Sequence, residues 1–320
     1  MNLPKKVLIF GSGSIALRHA ENLRSEGLEV LVYTKRKIKK EFFFKQKKIF
    51  VIDNLNKLNW KNILFGVIAN KTYLHEKFIK ILLNKKKDIF CEKPTVINLK
   101  NIKNLRNKII KSDVNFYVNY QLRQHSFLEK FRNLISKEKI VYTHVKVAHD
   151  INKWRKNGVR KKSYFIQKKL GGGVIFELVH EINLINYLFG KITKIKTIKN
   201  SYNYSKCEDQ AMSLFKTDQN VTGFLYQDMI SKNKLREIEV VTKNSKKLLF
   251  DLVKNRIFIY QNNKKKKLKL RNGRNKHNDL IKRNTKFFLR LIAKNSRKIK
   301  YFDESINDIK ICKKMHNDYK

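Results

Sequence analysis

The chain has 320 residues, of which 42% are hydrophobic, and carries 74 Lys and Arg against 26 Asp and Glu, a formal net charge of +48. This length suits two domains of roughly 150 residues, and this hydrophobic content excludes a wholly disordered chain. The charge makes a polyanion the first partner to consider. Three scattered cysteines without a CxxC pair argue against a disulfide framework or a thiolate metal site and favour the reducing cytoplasm. Since no apolar run approaches roughly 18 residues, we expect no membrane-spanning segment.

The first 120 residues alternate short apolar runs with helical patterns. The apolar runs occupy 7–10, 30–33, 49–52, 63–69, 89–91 and 116–118, and helical patterns at 15–25, 74–83 and 99–110 separate most of them. Strands alternating with helices at this spacing predict a doubly wound parallel sheet. We therefore expect a dinucleotide-binding domain of the Rossmann type over residues 1–121.

The pattern changes beyond residue 140. Longer strand patterns occur at 141–148, 211–216, 221–227, 237–242 and 256–261, interrupted by one amphipathic helix over 174–189 and followed by helices at about 278–293 and 304–316. These predict a second α/β domain over residues 122–320 with an antiparallel or mixed sheet.

A glycine-rich turn directly follows the first predicted strand. It reads Gly11-Ser12-Gly13-Ser14-Ile15-Ala16, a G-x-G-x-x-A pattern that opens the first predicted helix. Gly11 permits the tight turn, Gly13 lets a pyrophosphate approach the backbone, and Ala16 allows close helix packing. The phosphate would lie at the helix N-terminus. An ordinary glycine-rich βα turn is the alternative.

The end of the second predicted strand bears on the choice of cofactor. It reads Tyr33-Thr34-Lys35-Arg36 and lacks the acidic residue that usually binds the ribose hydroxyls of NAD. The Thr34 hydroxyl with Lys35 and Arg36 could instead receive a 2′-phosphate, Arg36 by bidentate contact. This favours NADP, while the abundance of lysine throughout the chain leaves NAD as the alternative.

A second motif, Cys91-Glu92-Lys93-Pro94, lies at the end of the fifth predicted strand. Ligands of open α/β sheets gather outside the carboxyl ends of the strands. There the Lys93 ammonium could hold a substrate hydroxyl, while Pro94, through a trans or a cis bond, directs the chain. A surface lysine in a turn is the alternative.

A third motif, Gly171-Gly172-Gly173, leads into the helix predicted over 174–189. At 100° per residue, Glu177, His180, Asn183 and Tyr187 cluster on the face opposite the apolar stripe. Histidine is the usual proton acceptor when an alcohol loses hydride, because the hydroxyl proton must leave as the carbonyl forms. A solvated polar face is the alternative interpretation of the same pattern.

Together these motifs resemble the Gfo/Idh/MocA family of NAD(P)-dependent sugar oxidoreductases, typified by glucose-fructose oxidoreductase and inositol dehydrogenase. The resemblance covers nearly the whole chain, and its most specific elements are Glu92-Lys93-Pro94 and the three glycines followed by His180-Glu181-Ile182. Further matching segments are residues 11–16, 67–70 with His75, 118–123, 208–211 and the final helices.

The resemblance implies a Rossmann domain followed by an α/β domain with a large mixed, mostly antiparallel open sheet, which commonly forms the interface of a dimer or tetramer. It also implies roles: Lys93 as the catalytic lysine that polarises the substrate oxygen, and His180 as the matching acid/base. Around the nicotinamide and the substrate it implies a second set of residues: Asn70, His75 and Glu92 for the nicotinamide, Gln121 and Arg123 bordering both, and Trp154, Arg160 and Tyr164 facing the substrate. No metal is implied.

The sequence departs from the family pattern at several positions. Lys71 and Ser126 replace prolines, which removes no chemical group. Glu177 lies three residues before His180 where an Asp is usual four residues before it, and Asn183 stands where an Asp is common. Glu177 could still orient His180, because residues i and i+3 are neighbours on a continuous helix.

Three functions are therefore compared. The resemblance favours an oxidoreductase acting on a hydroxyl or keto carbon of a sugar or sugar nucleotide, in surface-polysaccharide metabolism. A catalytically inactive protein that binds NADP or a sugar is the alternative, although Lys93 and His180 are both retained. Specific nucleic-acid recognition would require arginines, interleaved aromatics or a reading helix, whereas the lysines are spread over both predicted domains. We expect only weak, salt-sensitive association with polyanions.

Overall fold

The computed structural model describes residues 6–35, 49–154, 163–203, 207–269, 275–296 and 298–318. The chain forms two compact units. One comprises Met1–Gln121 and Lys276–Ile306, and the other comprises Leu122–Asn275 and Asn307–Lys320. The sequence prediction placed all of 122–320 in the second domain, whereas the structure groups Lys276–Ile306 with the first unit.

The elements of the first 120 residues alternate as predicted. They are β1 (Lys6–Phe10), α1 (Ser14–Ser25), β2 (Glu29–Tyr33), β3 (Ile49–Ile52), β4 (Ile63–Ile68), α2 (His75–Asn84), β5 (Asp88–Cys91), α3 (Ile102–Ser112) and β6 (Phe116–Val118). The six strands form one parallel sheet in the order β3-β2-β1-β4-β5-β6. This confirms the doubly wound sheet. Successive strands are added on one side of β1 as far as β3 and on its other side from β4 onward, so the strand order switches between β1 and β4, where ligands of such sheets bind outside the carboxyl ends.

The remaining elements follow in chain order. They are α4 (Leu128–Ile135), β7 (Ile140–Ala148), α5 (Ile151–Trp154), α6 (Val174–Glu177), α7 (Val179–Phe189), β8 (Ile192–Asn200), β9 (Gln210–Thr217), β10 (Thr222–Asp228), β11 (Leu235–Thr242), β12 (Lys247–Asp251), β13 (Arg256–Gln261), β14 (Lys264–Lys269), α8 (His277–Ala293) and α9 (Lys300–Asn317). Helices α4 and α5 and strands β8, β12 and β14 were not predicted.

Helix α8 belongs to the first unit because of its aromatic residues. Phe288 is fully buried, and its ring centroid lies 5.1 Å from that of Phe65 and 5.3 Å from that of Phe90. Phe65 and Phe90 belong to the neighbouring strands β4 and β5. Edge-to-face packing of this kind adds to the burial of a large apolar area, so α8 covers the sheet.

The second sheet has the order β14-β13-β12-β11-β7-β10-β9-β8. Strand β10 pairs in parallel with β7, and the other described pairs are antiparallel, which confirms the mixed, mostly antiparallel sheet. Val145, Leu225 and Ile238 lie opposite one another on adjacent strands and are at most 1% exposed. They form part of the buried face of the sheet.

One predicted helix is wrong. The pattern over 174–189 predicted a continuous helix, whereas the structure has α6 and α7 separated at Leu178, whose backbone has φ −104° and ψ 32°. No helix in the described part of the chain has both the length and the apolar content that crossing a membrane requires.

Candidate active site

The glycine turn between β1 and α1 has the geometry of a phosphate-binding loop. Gly11 has φ +129°, and a Cβ placed there would lie 2.6 Å from the Ala69 carbonyl oxygen. A Cβ on Gly13 would have nothing within 4 Å. Gly13 is the N-cap of α1, and among the described residues no side chain caps that helix terminus. Space over Gly13 and backbone N–H groups at a helix start suit a pyrophosphate.

Two hydroxyls meet where the glycine turn approaches the end of β2. Ser12 Oγ and Thr34 Oγ1 are 3.0 Å apart, Thr34 is 9% exposed, and the next residue, Lys35, is exposed. No acidic side chain follows β2 at residues 34 or 35. Arg36, predicted to share the 2′-phosphate, lies outside the described residues.

Three polar side chains follow three adjacent strands at the same sheet edge. Asn70 comes two residues after β4, Glu92 directly after β5, and Asn119 directly after β6. Among the described residues, no donor hydrogen bonds to the buried Oδ1 atoms of Asn70 and Asn119. Buried acceptors without donors are costly, and the carboxamide N–H groups of a nicotinamide would satisfy such acceptors. These residues and the glycine turn therefore fit a nicotinamide dinucleotide.

Glu92 is held by two donors that converge on one oxygen. His19 Nε2 lies 2.7 Å from Glu92 Oε1, and Asn119 Nδ2 lies 2.6 Å from the same oxygen. Burial alone would raise the pKa of Glu92, but the hydrogen bond and charge of His19, the Asn119 hydrogen bond and the charge of Lys93 together lower it below its usual range. Glu92 is therefore a carboxylate at neutral pH.

His75 begins α2 and is 1% exposed. Its Nδ1 lies 3.0 Å from the Pro94 carbonyl oxygen and its Nε2 lies 3.2 Å from the Asn70 carbonyl oxygen. Burial lowers the pKa of His75, so the ring is neutral and donates one hydrogen bond at a time. His75 thus bridges the loops that carry Asn70 and Pro94.

Lys93 lies between Glu92 and Pro94 and is half-buried, and the Lys93–Pro94 peptide bond is cis. Its charge is close enough to lower the pKa of Glu92, although burial of that carboxyl opposes the shift. Gln121 is 9% exposed, and its backbone carbonyl accepts a 3.4 Å hydrogen bond from Asn284 Nδ2 of α8. Lys93 and Gln121 belong to the first unit, as do Asn70, Glu92 and Asn119.

In the second unit, the three glycines form a turn in which Gly172 and Gly173 leave no space for a side chain. Gly171 and Gly173 have φ +79° and +103°. A Cβ on Gly172 would overlap the Phe165 backbone, and one on Gly173 would overlap the Glu208 carboxyl. The turn therefore packs directly against Glu208 and leads into α6.

A buried side chain stabilises the break between α6 and α7. Gln227 of β10 is fully buried, and its Nε2 donates a 2.9 Å hydrogen bond to the Leu178 carbonyl oxygen at the break. Glu177 ends α6 and His180 is the second residue of α7. They do not share a continuous helix, so the i,i+3 geometry predicted for them is wrong, and the role of Glu177 toward His180 stays a prediction.

His180 is buried rather than solvated. It is 5% exposed, and Asn183, one turn further along α7, is 1% exposed. The neighbouring Glu181, also 1% exposed, pairs with Arg236 Nε of β11 at 2.8 Å. This excludes the solvated polar face as the explanation of the pattern at His180 and Asn183.

Arg123 is fixed by a chain of polar contacts. Its Nε donates to Asn183 Oδ1 at 2.7 Å, and Asn183 Nδ2 donates to Asp308 Oδ2 at 2.7 Å. Its guanidinium carbon also lies 4.1 Å from the centre of the Tyr187 ring, which Arg132 approaches to 4.8 Å. Asn183 thus acts as the link between Arg123 and a buried carboxylate.

The substrate-facing loop is only partly described. Tyr164 is half-buried, and its ring packs edge-on against Phe165 at 5.7 Å. Arg160 and the Trp154 side chain lie outside the described residues. Their predicted roles stay predictions, as does that of Tyr164.

Glu208 connects the glycine turn with the end of α9. Its Oε1 accepts a 3.4 Å hydrogen bond from Ile175 N and lies 3.3 Å from His316 Nε2, and the His316 ring stacks on Phe176. Burial raises the pKa of Glu208 to about 7 and, with nearby lysines, lowers that of His316 to about 3. The pair is therefore not a full ion pair at neutral pH, despite its short distance.

Sequence reasoning missed several of these residues. His19 lies one turn beyond Ala16, outside the glycine motif that opens the same helix, and Gln227 is an ordinary strand residue by pattern. Asn119 lay inside a segment matched to the family but received no role. Each acts through a contact between distant segments, which no local pattern reveals.

Two family models match the chain. One, described as "Oxidoreductase family, NAD-binding Rossmann fold", matches residues 5–120, and the other, described as "GFO/IDH/MocA C-terminal domain", matches residues 131–245. Among curated proteins, the chain is similar to 2,7-anhydro-N-acetylneuraminate hydratase of Escherichia coli strain K12, with 24% identity over 41% of this chain and 35% of that protein. It is also similar to myo-inositol 2-dehydrogenase of Thermotoga maritima, with 20% identity over 58% of this chain and 55% of that protein. The matches thus span about a third and about half of these relatives.

Solved structures resemble nearly the whole chain. UDP-N-acetylglucosamine 3-dehydrogenase from Acidithiobacillus ferrooxidans has a TM-score of 0.80 at 13% identity, covering 98% of this chain and 97% of that one. A levoglucosan dehydrogenase in complex with NADH has a TM-score of 0.84 at 13% identity, covering 98% and 96%. At such identities the likeness concerns the fold.

The glycine turn, the parallel sheet and the mixed sheet agree with the two models that match successive parts of the chain. The chain belongs to the Gfo/Idh/MocA family, whose first domain is an NAD-binding Rossmann fold of oxidoreductases.

Proposed function

We propose that this protein transfers a hydride between a nicotinamide dinucleotide and a ring carbon that bears a hydroxyl or keto group on a sugar or sugar nucleotide. The observation that carries the proposal is the convergence of Asn70, Glu92 and Asn119 at the ends of three adjacent strands, next to Lys93. The sugar dehydrogenases among its relatives and structural neighbours support the substrate class.

The dinucleotide, when bound, accepts or supplies the hydride. Gly11 to Ile15 would hold its pyrophosphate, and Thr34, Lys35 and Arg36 would hold a 2′-phosphate, so NADP is preferred to NAD. Asn70, His75, Glu92 and Gln121 would surround the nicotinamide.

Lys93 and His180 would carry the proton chemistry of the substrate oxygen. Lys93 donates a hydrogen bond to that oxygen and stabilises negative charge on it. His180 takes the hydroxyl proton as the carbonyl forms, or returns it in the reverse direction. Glu177 would orient His180, and Arg123, Trp154, Arg160 and Tyr164 would contact the sugar.

The wider setting belongs to the same proposal. The described cysteines are buried and form no disulfide with one another, which suits the reducing cytoplasm. On the open face of the second sheet, Ile198, Leu214 and Tyr142 are 62%, 67% and 38% exposed, and Leu214 and Tyr142 line a cavity of about 650 Å³. Exposed apolar area of this kind supports a homo-oligomer formed through the sheet. The segments around Gln121 and His180 support a role in surface-polysaccharide sugar metabolism.

The test begins with thermal-shift titrations of NADP and NAD, followed by a panel of sugars and sugar nucleotides assayed by nicotinamide absorbance. We expect Lys93→Met to lower kcat by about 100-fold or more with little change in dinucleotide affinity, because it removes only the group that contacts the substrate oxygen. Lys100→Ala, at an exposed lysine seven residues away, is the control. Unchanged turnover in Lys93→Met would refute the role of Lys93. Tight dinucleotide binding without turnover of any panel member would favour a catalytically inactive binding protein.

A further inference from the structure

A buried cluster of side chains connects helix α1 with the residue that precedes Lys93. Its members are His19 of α1, Glu92 and Asn119, and His19 and Asn119 are each 1% exposed. The Glu92 side chain is 12% exposed. All three lie in the first unit, so the cluster is complete within one compact part of the chain.

The direction of the hydrogen bonds follows from the charge on Glu92. An ionised carboxylate only accepts, so His19 Nε2 carries the proton and donates across 2.7 Å, and Asn119 Nδ2 donates to the same oxygen across 2.6 Å. The His19 ring is further fixed by edge-on contact with Phe90, at 5.2 Å between ring centres. Two short hydrogen bonds to one buried oxygen restrict the position of the carboxyl group and oppose its protonation.

We propose that His19 is a positioning residue that acts through Glu92, holding this carboxylate ionised and oriented beside Lys93. The inference rests on the proposed function, in which Lys93 contacts the substrate oxygen. It gives α1 a second use: the N-terminal turn of the helix would receive the cofactor phosphates, and its middle supports the charged group next to the catalytic lysine.

The other charged and titratable groups around Glu92 do not replace His19. Lys93 and Cys91 are its chain neighbours, and His75 faces it from α2. Burial lowers the pKa of His75, so its ring is uncharged at neutral pH, and burial raises the pKa of the Cys91 thiol well above its usual value, so the thiol, which has no cationic form, stays neutral as well. His19 is therefore the neighbour that donates a hydrogen bond to the carboxylate from a separate helix, α1.

The test uses the full chain without cofactor. Carbon-13 NMR of glutamate side-chain carboxyls, with the Glu92 signal assigned by its loss in Glu92→Gln, follows the titration of this one group. In His19→Leu the burial of Glu92 remains while one donor is lost, so we expect its midpoint to rise by at least about one pH unit. His19→Gln, whose amide can donate from nearly the same place, should restore a large part of that change. Asn22→Leu removes a buried polar group from the same helix, one bonded to Asn278 instead of Glu92, and should leave the midpoint unaltered.

Turnover provides the second readout. The acid limb of the kcat/KM profile should move to higher pH in His19→Leu and return toward the wild-type position in His19→Gln, whereas a purely structural loss would lower the profile without moving it. A Glu92 midpoint in His19→Leu that coincides with the wild-type midpoint overturns the inference. Because the NMR titration needs neither cofactor nor substrate, absence of the proposed enzyme activity would leave that titration as an independent test.

Discussion

At the scale of single residues, the two glycines of the first turn differ in the reason that each position requires a glycine. At Gly11 a side chain is excluded by the fold itself, because the backbone has a φ of +129° and a Cβ would overlap the nearby Ala69 carbonyl. Gly13 has an ordinary φ of −85° and free space around it. The first glycine therefore serves the fold and the second keeps a surface open for a ligand.

This difference predicts opposite outcomes for the same substitution. Gly11→Ala should lower the stability of the protein by about 2–3 kcal/mol, because it introduces both backbone strain and overlap. Gly13→Ala should change stability by less than about 0.5 kcal/mol but weaken dinucleotide binding at least about tenfold, because the methyl group would occupy the phosphate approach. Thermal unfolding and a fluorescence titration with NADPH measure the two effects. Equal losses of melting temperature in both variants would contradict this division of roles.

The candidate site residues that were predicted from the sequence belong to continuous motifs. The glycine turn, Asn70, Glu92 and Lys93 follow the ends of strands that the sequence pattern predicted, and His180 lies within the helix predicted over 174–189. His19, Gln227 and Asp308 were not found, since each is significant only through a partner at least 49 positions away in the chain. Burial of His180 was also not predicted, because the faces of a regular helix were assumed where the chain breaks at Leu178.

At the scale of elements, the parallel sheet was predictable because each of its strands is a continuous apolar run. Strand β1 shows this clearly, with Val7 to Phe10 fully buried. Two of the missed strands lack such runs: β14 reads KKKKLK, and β8 reads ITKIKTIKN, with Lys194 and Lys196 on its exposed face. Their strand structure comes from pairing with β13 and β9, a long-range interaction that local pattern does not contain.

The short helix α6 depends on Glu208, and its stability should depend on pH. The pKa of Glu208 is about 7 in the folded protein against an ordinary 4.5, because burial favours the neutral carboxyl. Its contribution to stability is therefore complete below about pH 4.5 and is lost as the pH rises through 7. His316 has the opposite sign: its pKa is about 3 against 6.5, also through burial, so its contribution is present above 6.5 and is lost as the pH falls toward 3.

Comparison with Glu208→Gln isolates the carboxyl from the histidine. The amide keeps an acceptor for Ile175 N but does not titrate, so the variant should gain stability relative to wild type between pH 4.5 and 8, by on the order of 3 kcal/mol. Calorimetric melting temperatures across that range measure the gain. Glu129→Gln, at an exposed position on α4, should give a curve that parallels wild type. The same parallel behaviour in Glu208→Gln would show that Glu208 titrates normally.

At the scale of the whole molecule, the net charge of +48 affects association more than chemistry. The lysines of the chain are dispersed over both units, and on the open face of the second sheet they alternate with aromatic rings. Lys265, for example, lies 4.8 Å from the centre of Phe258 and 5.3 Å from that of Tyr260. Packing of lysine stems on aromatic rings covers apolar area while the charge stays in water. Such a face can still meet a second copy once the repulsion between like charges is screened.

Salt should therefore have opposite effects on two kinds of association. Raising NaCl from about 50 to 500 mM shortens the Debye length from over 10 Å to below 5 Å, so repulsion between two cationic copies weakens and self-association through the sheet should strengthen. Binding to a nucleic acid or another polyanion should fall steeply over the same range, because it is driven by release of counterions. Light scattering after size exclusion measures the first effect, and anisotropy of a labelled oligonucleotide measures the second.

Leu214→Glu should abolish the oligomer, because it places a charge at a residue 67% exposed on the proposed contact face, and should leave the salt slope of polyanion binding nearly unchanged. A polyanion complex of sub-micromolar Kd that persists at 500 mM would instead indicate specific recognition, since only contacts independent of counterion release survive there.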